Sequence, residues 1–205
     1  MNLIGIDLEG VLIPEIWEEL ARQTGEKDLT LTTRDIKDYK ELMDHRINVL
    51  NAKGIKAKKL FDIAKNIIPY EGAIDFLNKL RKDFQVIILS DTFYNLSKNI
   101  FEKLNFPTVF CHTLLVSEDG MIIGMNRCIN DHKRITIEYM NKMNFNTIAV
   151  GDSYNDMGML AEANEGILFR TTDKIKKDYP DYFNCDSYDQ LITKIYDIFK
   201  KGEIK

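Results

Sequence analysis

The sequence predicts an α/β fold, a parallel sheet with helices on both faces and a helical insertion after the first strand. Three observations carry this reading. Leu3 to Leu8 is a short apolar run with an acid, Asp7, near its end, the pattern of a buried strand. Residues 14–68 hold three helical patterns and no strand. After Pro69 strand and helix patterns alternate, which implies parallel pairing with right-handed crossovers.

Element by element, Pro14 is expected to start the first helix, where its missing N–H costs nothing. Ile16, Trp17, Leu20, Ala21 and Thr24 then recur at helical spacing. A second helix is expected from about Thr33 to Ala52, stopping at Gly54. A third is expected over Ala57–Ile67, with Leu60, Phe61, Ala64 and Ile67 on one face. Ile74, Phe76, Leu77 and Leu80 mark a helix ahead of a strand at Phe84–Leu89. A helix near Tyr94–Leu104 precedes a strand near Thr108–Cys111. Leu114–Ser117 and Met121–Met125 flank Asp119-Gly120, a hairpin signal. A helix over Lys133–Met143 leads to the strand Thr147–Val150. Then follow a helix near Asp156–Ala163, the strand Gly166–Phe169 and a last helix near Tyr188–Phe199. The domain expectation is a catalytic core of residues 1–13 and 69–205 and a helical cap of residues 14–68.

Composition narrows the function classes. Of 205 residues, 44% are hydrophobic and 29% charged, as in ordinary globular proteins, and the net charge of −4 offers nothing general to nucleic acid or an anionic membrane. No apolar run approaches the ~18 residues of a spanning helix. The opening residues lack the basic-then-apolar pattern of a signal peptide. Cys111, Cys128 and Cys185 form no C-x-x-C pair, so the expectation is a reducing, cytoplasmic setting. Cys128 with His132, and Cys111 with His112, have ligand spacing, but no second pair completes either as a zinc centre.

Ligands of open α/β sheets sit beyond the carboxyl ends of the strands. The residues expected there are Asp7, Glu9 and Gly10 after the first strand, and Ser90, Asp91 and Thr92 after the second. Gly151, Asp152, Ser153, Asn155 and Asp156 follow Thr147–Val150, and Lys133 opens a nearby helix. Several acids at one edge repel unless a cation joins them, and an oxygen-only ligand set suits Mg²⁺. A carboxylate can attack phosphorus, a lysine can offset the charge of the moving group, and a second carboxyl can relay the proton. In the insertion, Arg46 borders the stripe Ile36, Tyr39, Met43, Ile47 and Leu50. A guanidinium there seeks an anion, for which a carboxylate is the best match; Asp38 and Asp44 are the local alternatives.

Asp7-Leu8-Glu9-Gly10-Val11, Ser90, Lys133 and Gly151-Asp152-Ser153-Tyr154-Asn155-Asp156 together resemble the four motifs of the haloacid dehalogenase (HAD) superfamily. The insertion resembles that of its phosphoserine phosphatase branch. Closer still are the bifunctional phosphoserine phosphatase/homoserine phosphotransferases, which share the Asp-Leu-Glu-Gly-Val segment followed by Pro-Glu-Ile-Trp. The resemblance runs through nearly the whole chain. It implies an HAD-like Rossmannoid core and Mg²⁺ held by Asp7, Glu9 and Asp152, with Asp156 behind them. It implies Asp7 as nucleophile and Glu9 as acid and base. Ser90 and Lys133 resemble the phosphate-holding pair, and Glu15 and Arg46 the residues that grip the substrate's amino and carboxylate groups. Asn155 resembles a substrate contact, and Asp91, beside Ser90, is grouped with the substrate-binding residues. The implied partner is a small phosphorylated amino acid, with no nucleic acid or membrane, and a homodimer is compatible with the pattern. Two departures from the wider family stand out. Its usual aspartate is Glu9 here, and the usual glycine of the last motif is Ser153. A phospho-receiver domain is the main rival outside enzymes, but it places its acceptor after a later strand and has no cap. A HAD phosphatase for another small phosphometabolite is the rival within the family. No G-x-G-x-x-G follows the first strand, which counts against a dinucleotide-binding dehydrogenase.

Overall fold

The computed structural model describes residues 1–32, 35, 36 and 38–202, with backbone alone for 201 and 202. Seven strands form one sheet: β1 Asn2–Ile6, β2 Gln85–Phe93, β3 Thr108–Val116, β4 Ile122–Asn126, β5 Asn146–Gly151, β6 Glu165–Phe169 and β7 Phe183–Cys185. Their order is β4-β3-β2-β1-β5-β6-β7, and among the described residues every neighbouring pair is parallel except β3–β4. The chain leaves β1 for β2 on one side and later returns to β5 on the other. The carboxyl ends of β1, β2 and β5 therefore flank the topological switch point, where open sheets leave a crevice.

Nine α-helices pack around the sheet among the described residues: α1 Ile16–Thr24, α2 Tyr39–Ala52, α3 Ala57–Ala64, α4 Ala73–Leu80, α5 Tyr94–Lys103, α6 His132–Lys142, α7 Met157–Glu162, α8 Asp173–Asp178 and α9 Tyr188–Gly202. Alternation along β1 explains why both faces are covered. Ile4 and Ile6 join one apolar cluster with Phe76, Leu191 and Ile195, while Leu3 joins a second with Ile137, Met159 and Leu168. The helices α1–α3 follow β1 directly. They are tied to the β3–β4 hairpin by Ala57 N–H to Gly120 O (2.9 Å) and Asn51 Nδ2 to Ile122 O (3.0 Å). Among the described residues no helix is long and apolar enough to cross a membrane.

Several expected boundaries move, each for a local reason. The first helix begins at Ile16, because Glu15 is extended (φ −57°, ψ 117°) and leaves Pro14 outside. The second begins at Tyr39, with the Asp38 carboxylate accepting from Glu41 N–H at 2.9 Å. Thr33, the expected start, lies outside the described residues. Asp35 and Ile36 instead form a turn back to Thr32 O, and the Asp35 carboxylate accepts Thr32 N–H at 2.9 Å. That local bonding competes with helix formation. The third helix stops at Ala64, three residues early, although Ile67 still reaches the core. Strand β2 runs on through Ser90, Asp91 and Thr92, with a register shift between Leu89 and Phe93, so those residues lie within its irregular end. The two apolar runs at Thr108–Cys111 and Leu114–Ser117 fuse into the single strand β3, parallel to β2 and antiparallel to β4. Asp156 closes a short 3₁₀ turn, Tyr154–Asp156, ahead of α7. The six-residue α8, the three-residue β7 and a 3₁₀ turn at Lys27–Thr30 were not expected, since each is too short to show a period.

One contact binds the last helix to the loop after β1. Tyr188 stacks against Phe76 and Phe169, with centroids 4.8 and 5.0 Å away, and its hydroxyl donates to Val11 O at 2.6 Å. Tyr188→Phe keeps the rings but leaves a buried carbonyl unpaired. A loss of about 1–3 kcal/mol is expected in urea unfolding; an unchanged midpoint would show that Val11 finds another donor.

Candidate active site

The site grows from four chain segments that end at the switch point. Asp7 directly follows β1, and its N–H still bonds to Val150 O at 2.9 Å. Its Oδ1 accepts the Leu8 N–H at 2.7 Å. The chain then coils tightly, with Leu12 N–H and Ile13 N–H both reaching Leu8 O. Gly10 sits at φ +75°, and a Cβ there would fall 2.4 Å from the Asp152 carboxyl carbon. Only glycine lets this loop lie against the one after β5. Glu9 turns back and accepts the Ile16 N–H at 2.9 Å, a cap for α1 supplied from seven residues away.

Lys133, in the first turn of α6, is 4% exposed. Its Nζ lies 2.8 Å from Asp156 Oδ1, 2.9 Å from Asp7 Oδ1 and 3.8 Å from Asp91 Oδ2. Burial alone would favour the neutral amine. The charges of Asp156, Asp7 and Asp91 outweigh it and hold the ammonium well above its usual range. Asp156 is fully buried and also accepts the N–H groups of Asp152 and Ser153 at 3.0 and 3.1 Å, so it acts as a brace below the cavity. Ser90, 1% exposed, sits at the strand end beside these groups.

A cavity of about 270 Å³ opens over this floor, and every residue to which the family resemblance gave a part lines it except Asp156; Gly10, Thr92 and Gly151, expected at the same edge, do not. Within it Glu9 and Glu15 share a hydrogen bond between carboxyl groups; burial and then the Glu15 charge push Glu9 up to about 8. Arg46, 6% exposed, also lines the cavity and acts electrostatically on both acids; its guanidinium lies 4.4 Å over the Trp17 ring and donates to Leu31 O at 2.6 Å. Its buried Nε has no partner, and burial lowers its pKa to about 10. The local alternatives are occupied elsewhere, since Asp44 pairs with Lys40 at 2.6 Å and Asp38 caps α2.

The donor set fits a hard divalent cation. Oxygens of Asp7, Asp152 and Asp156 lie within 4.8 Å of one another. Asp152 Oδ1 is buried with no partner, which is costly for a carboxylate. Burial and the neighbouring Asp156 push Asp152 up to about 8 and raise Asp7 strongly, the mark of negative charge that Lys133 does not fully offset. Asp7 and Asp152 face the cavity, and oxygen ligands of this kind suit Mg²⁺.

Sequence reasoning missed four residues here. Tyr39, read as core, donates its hydroxyl to Asp91 O at 2.6 Å and lines the cavity. Trp17, also read as core, forms the bed for Arg46. His112 and His132, weighed only as partners of cysteines, meet instead at Asp91. The Cys128 thiol bonds to Cys111 O at 3.2 Å. Only the spacing of Tyr39 and Arg46, about two turns apart on one side of α2, hinted at any of this.

Comparison with known proteins follows the same lines. Residues 1–164 match the family model described as haloacid dehalogenase-like hydrolase. The phosphoserine phosphatase ThrH of Pseudomonas aeruginosa is 40% identical over 191 residues, covering 93% of each chain. A phosphoserine phosphatase of Pseudomonas syringae pv. tomato is 41% identical over 186 residues, 91% of this chain and 78% of the relative. Among solved structures, a phospho-aspartyl intermediate analogue of phosphoserine phosphatase superposes with a TM-score of 0.78 at 24% identity, over 94% of this chain and 98% of that one. The fold, the motif residues at the switch point and these relatives agree, and the chain belongs to the haloacid dehalogenase-like hydrolase family, in the branch of the ThrH-type phosphoserine phosphatases.

Proposed function

We propose that this protein is a Mg²⁺-dependent phosphoserine phosphatase that carries the phosphoryl group on Asp7 and can pass it to homoserine. One observation carries the reading. A buried guanidinium with an unpaired Nε, Arg46, faces the same cavity as Asp7, Lys133 and Ser90. One end suits the carboxylate of an amino acid and the other suits a phosphoryl group. The relatives named for phosphoserine are consistent with it.

In this reading residues 14–68 form a cap over a core of residues 1–13 and 69–205. Arg46 takes the substrate carboxylate and Glu15 its ammonium, with Asn155 and Asp91 completing the wall. Ser90 and Lys133 hold phosphoryl oxygens. Mg²⁺, held by Asp7, Asp152 and the Glu9 carbonyl when bound, offsets charge on the phosphoryl group. An Asp7 carboxylate oxygen attacks phosphorus, and the bond from phosphorus to the serine oxygen breaks. Glu9, protonated at neutral pH when its pKa is about 8, gives its proton to that oxygen. The product is serine and an aspartyl-phosphate. Glu9, now a carboxylate, takes the proton of the acceptor hydroxyl as its oxygen attacks phosphorus and Asp7 departs. Water yields phosphate. Homoserine, gripped by the same Glu15 and Arg46, yields phosphohomoserine, with its hydroxyl positioned rather than drawn from bulk solvent.

Three outcomes are expected. Asp7→Asn abolishes release of serine from phosphoserine while leaving the thermal unfolding curve cooperative; substantial residual turnover removes Asp7 from its role. Arg46→Ala raises KM for phosphoserine at least about 10-fold, the worth of a charged hydrogen bond, and leaves KM for p-nitrophenyl phosphate nearly unchanged. An equal effect on both substrates assigns Arg46 to structure or phosphate. With phosphoserine as donor and saturating homoserine, phosphohomoserine appears at the expense of free phosphate. Phosphate alone would mean that water is the acceptor.

A further inference from the structure

Beside the cavity lies a group that the reaction described above does not use. His112, on β3, and His132, the first residue of α6, are 1% and 5% exposed. Their rings meet edge to face at 5.0 Å, and the Nε2 atoms of both lie 3.3 Å from one oxygen, Asp91 Oδ1. The other oxygen, Oδ2, faces the cavity, where it accepts from Asn155 Nδ2 at 3.3 Å and sits 3.8 Å from Lys133 Nζ.

Two imidazoles and a carboxylate so close could hold a transition metal ion, since their ligand atoms lie within 4.8 Å of one another. The far side of His112 speaks against it. The Cys128 N–H donates to His112 Nδ1 at 3.2 Å, so the neutral ring carries its proton on Nε2, the atom that would have to bind the metal. The arrangement is one of N–H groups turned toward a carboxylate. His132 Nε2 makes the hydrogen bond to Asp91 Oδ1, while His112 Nε2 lies at the same distance but off line.

We propose that His112 and His132 are positioning residues whose Nε2–H groups hold the Asp91 carboxylate back from Lys133. This rests on the reading of Lys133 as a phosphoryl ligand. Asp7 and Asp156 already contact its ammonium at 2.9 and 2.8 Å, whereas Asp91 stops at 3.8 Å. A third carboxylate free to close in would compete with the phosphoryl oxygens for the remaining N–H direction. Drawing Oδ1 toward the histidines prevents that and aims Oδ2 at Asn155. The Tyr39 hydroxyl on Asp91 O fixes the backbone of the same residue. The lowered pKa of Asp91, where Lys133 and both histidines overcome burial, agrees with a carboxylate that stays ionised in this clamp.

The test compares leucine and glutamine at each histidine, with Mg²⁺ saturating. Glutamine keeps an N–H donor near the Nε2 position and is a poor metal ligand. His132→Leu is expected to lower kcat/KM about 10-fold for phosphoserine and for p-nitrophenyl phosphate alike, because the fault lies at the phosphoryl end. His132→Gln should recover to within about threefold of the parent. His112→Leu and His112→Gln should follow the same order. Leucine variants with unchanged kcat/KM, or glutamine variants as impaired as leucine, overturn the proposal. Zinc binding to the parent by calorimetry in excess Mg²⁺, lost in both variants of a histidine, overturns it in favour of a metal site. Should a variant fail to fold, nitrogen-15 correlation spectra of the parent still decide. Ring protons on Nε2 of both histidines support the clamp, and a ring of either that is protonated on Nδ1 alone refutes it. Lys133→Ala separates the two readings: if it retains activity, the role of Lys133 fails. If it is inactive while the histidine variants match the parent, only the clamp fails.

Discussion

Burying the Lys133 ammonium is possible only because carboxylates from three parts of the fold surround it. Asp7 comes from the end of β1, Asp91 from the end of β2 and Asp156 from the turn after β5. An isolated charge out of water is prohibitively unfavourable, and removing one partner of a buried pair typically costs about 3–5 kcal/mol. The strand ends and the start of α6 are therefore held in one register by electrostatics as well as by the sheet. The same cluster is over-supplied with negative charge. Asp152 keeps a buried oxygen without a partner, and its carboxyl is pushed up to about 8. Such an excess of buried carboxylate charge is the kind that a divalent cation relieves.

The helical side of the cavity follows a different logic. Arg46 is desolvated over Trp17 and satisfied only in part, by a single backbone carbonyl and a weak contact to the Met43 sulfur. In the same cavity Glu9 and Glu15 share a hydrogen bond. Glu9 also caps α1, so the candidate proton carrier is fixed by the helix that begins the insertion. In the proposed reading, chemistry and substrate recognition are thus joined through one side chain. This gives a physical setting for the departure from aspartate, because the longer glutamate spans the distance to Ile16 N–H while its carboxyl stays at the cavity.

Much of this was legible in the chain. The alternation of strands and helices, the hairpin at Asp119-Gly120, the three helices after β1 and the acids at the strand ends depend on local periodicity and turn chemistry, which act over a few residues. Asp7, Glu9, Ser90, Asp152 and Asp156 could be named because they follow predicted strands, and Lys133 because it opens a helix nearby. The family resemblance rested on those same positions.

What only the tertiary structure decided are the features made by residues far apart in sequence. The length of β2 and the fusion of β3 depend on pairing with neighbours rather than on their own pattern. The start of α1 depends on a carboxylate seven residues upstream, and the role of Gly10 on Asp152 across the site. His112 and His132 looked like partners of nearby cysteines, yet they meet at Asp91 because β3 lies beside β2 and α6 starts at the same edge. Sequence by itself determined the longer, periodic elements and the chemical groups they carry. Distances between side chains were decided by packing, since burial, desolvation and hydrogen-bond direction exist only once the strands are side by side.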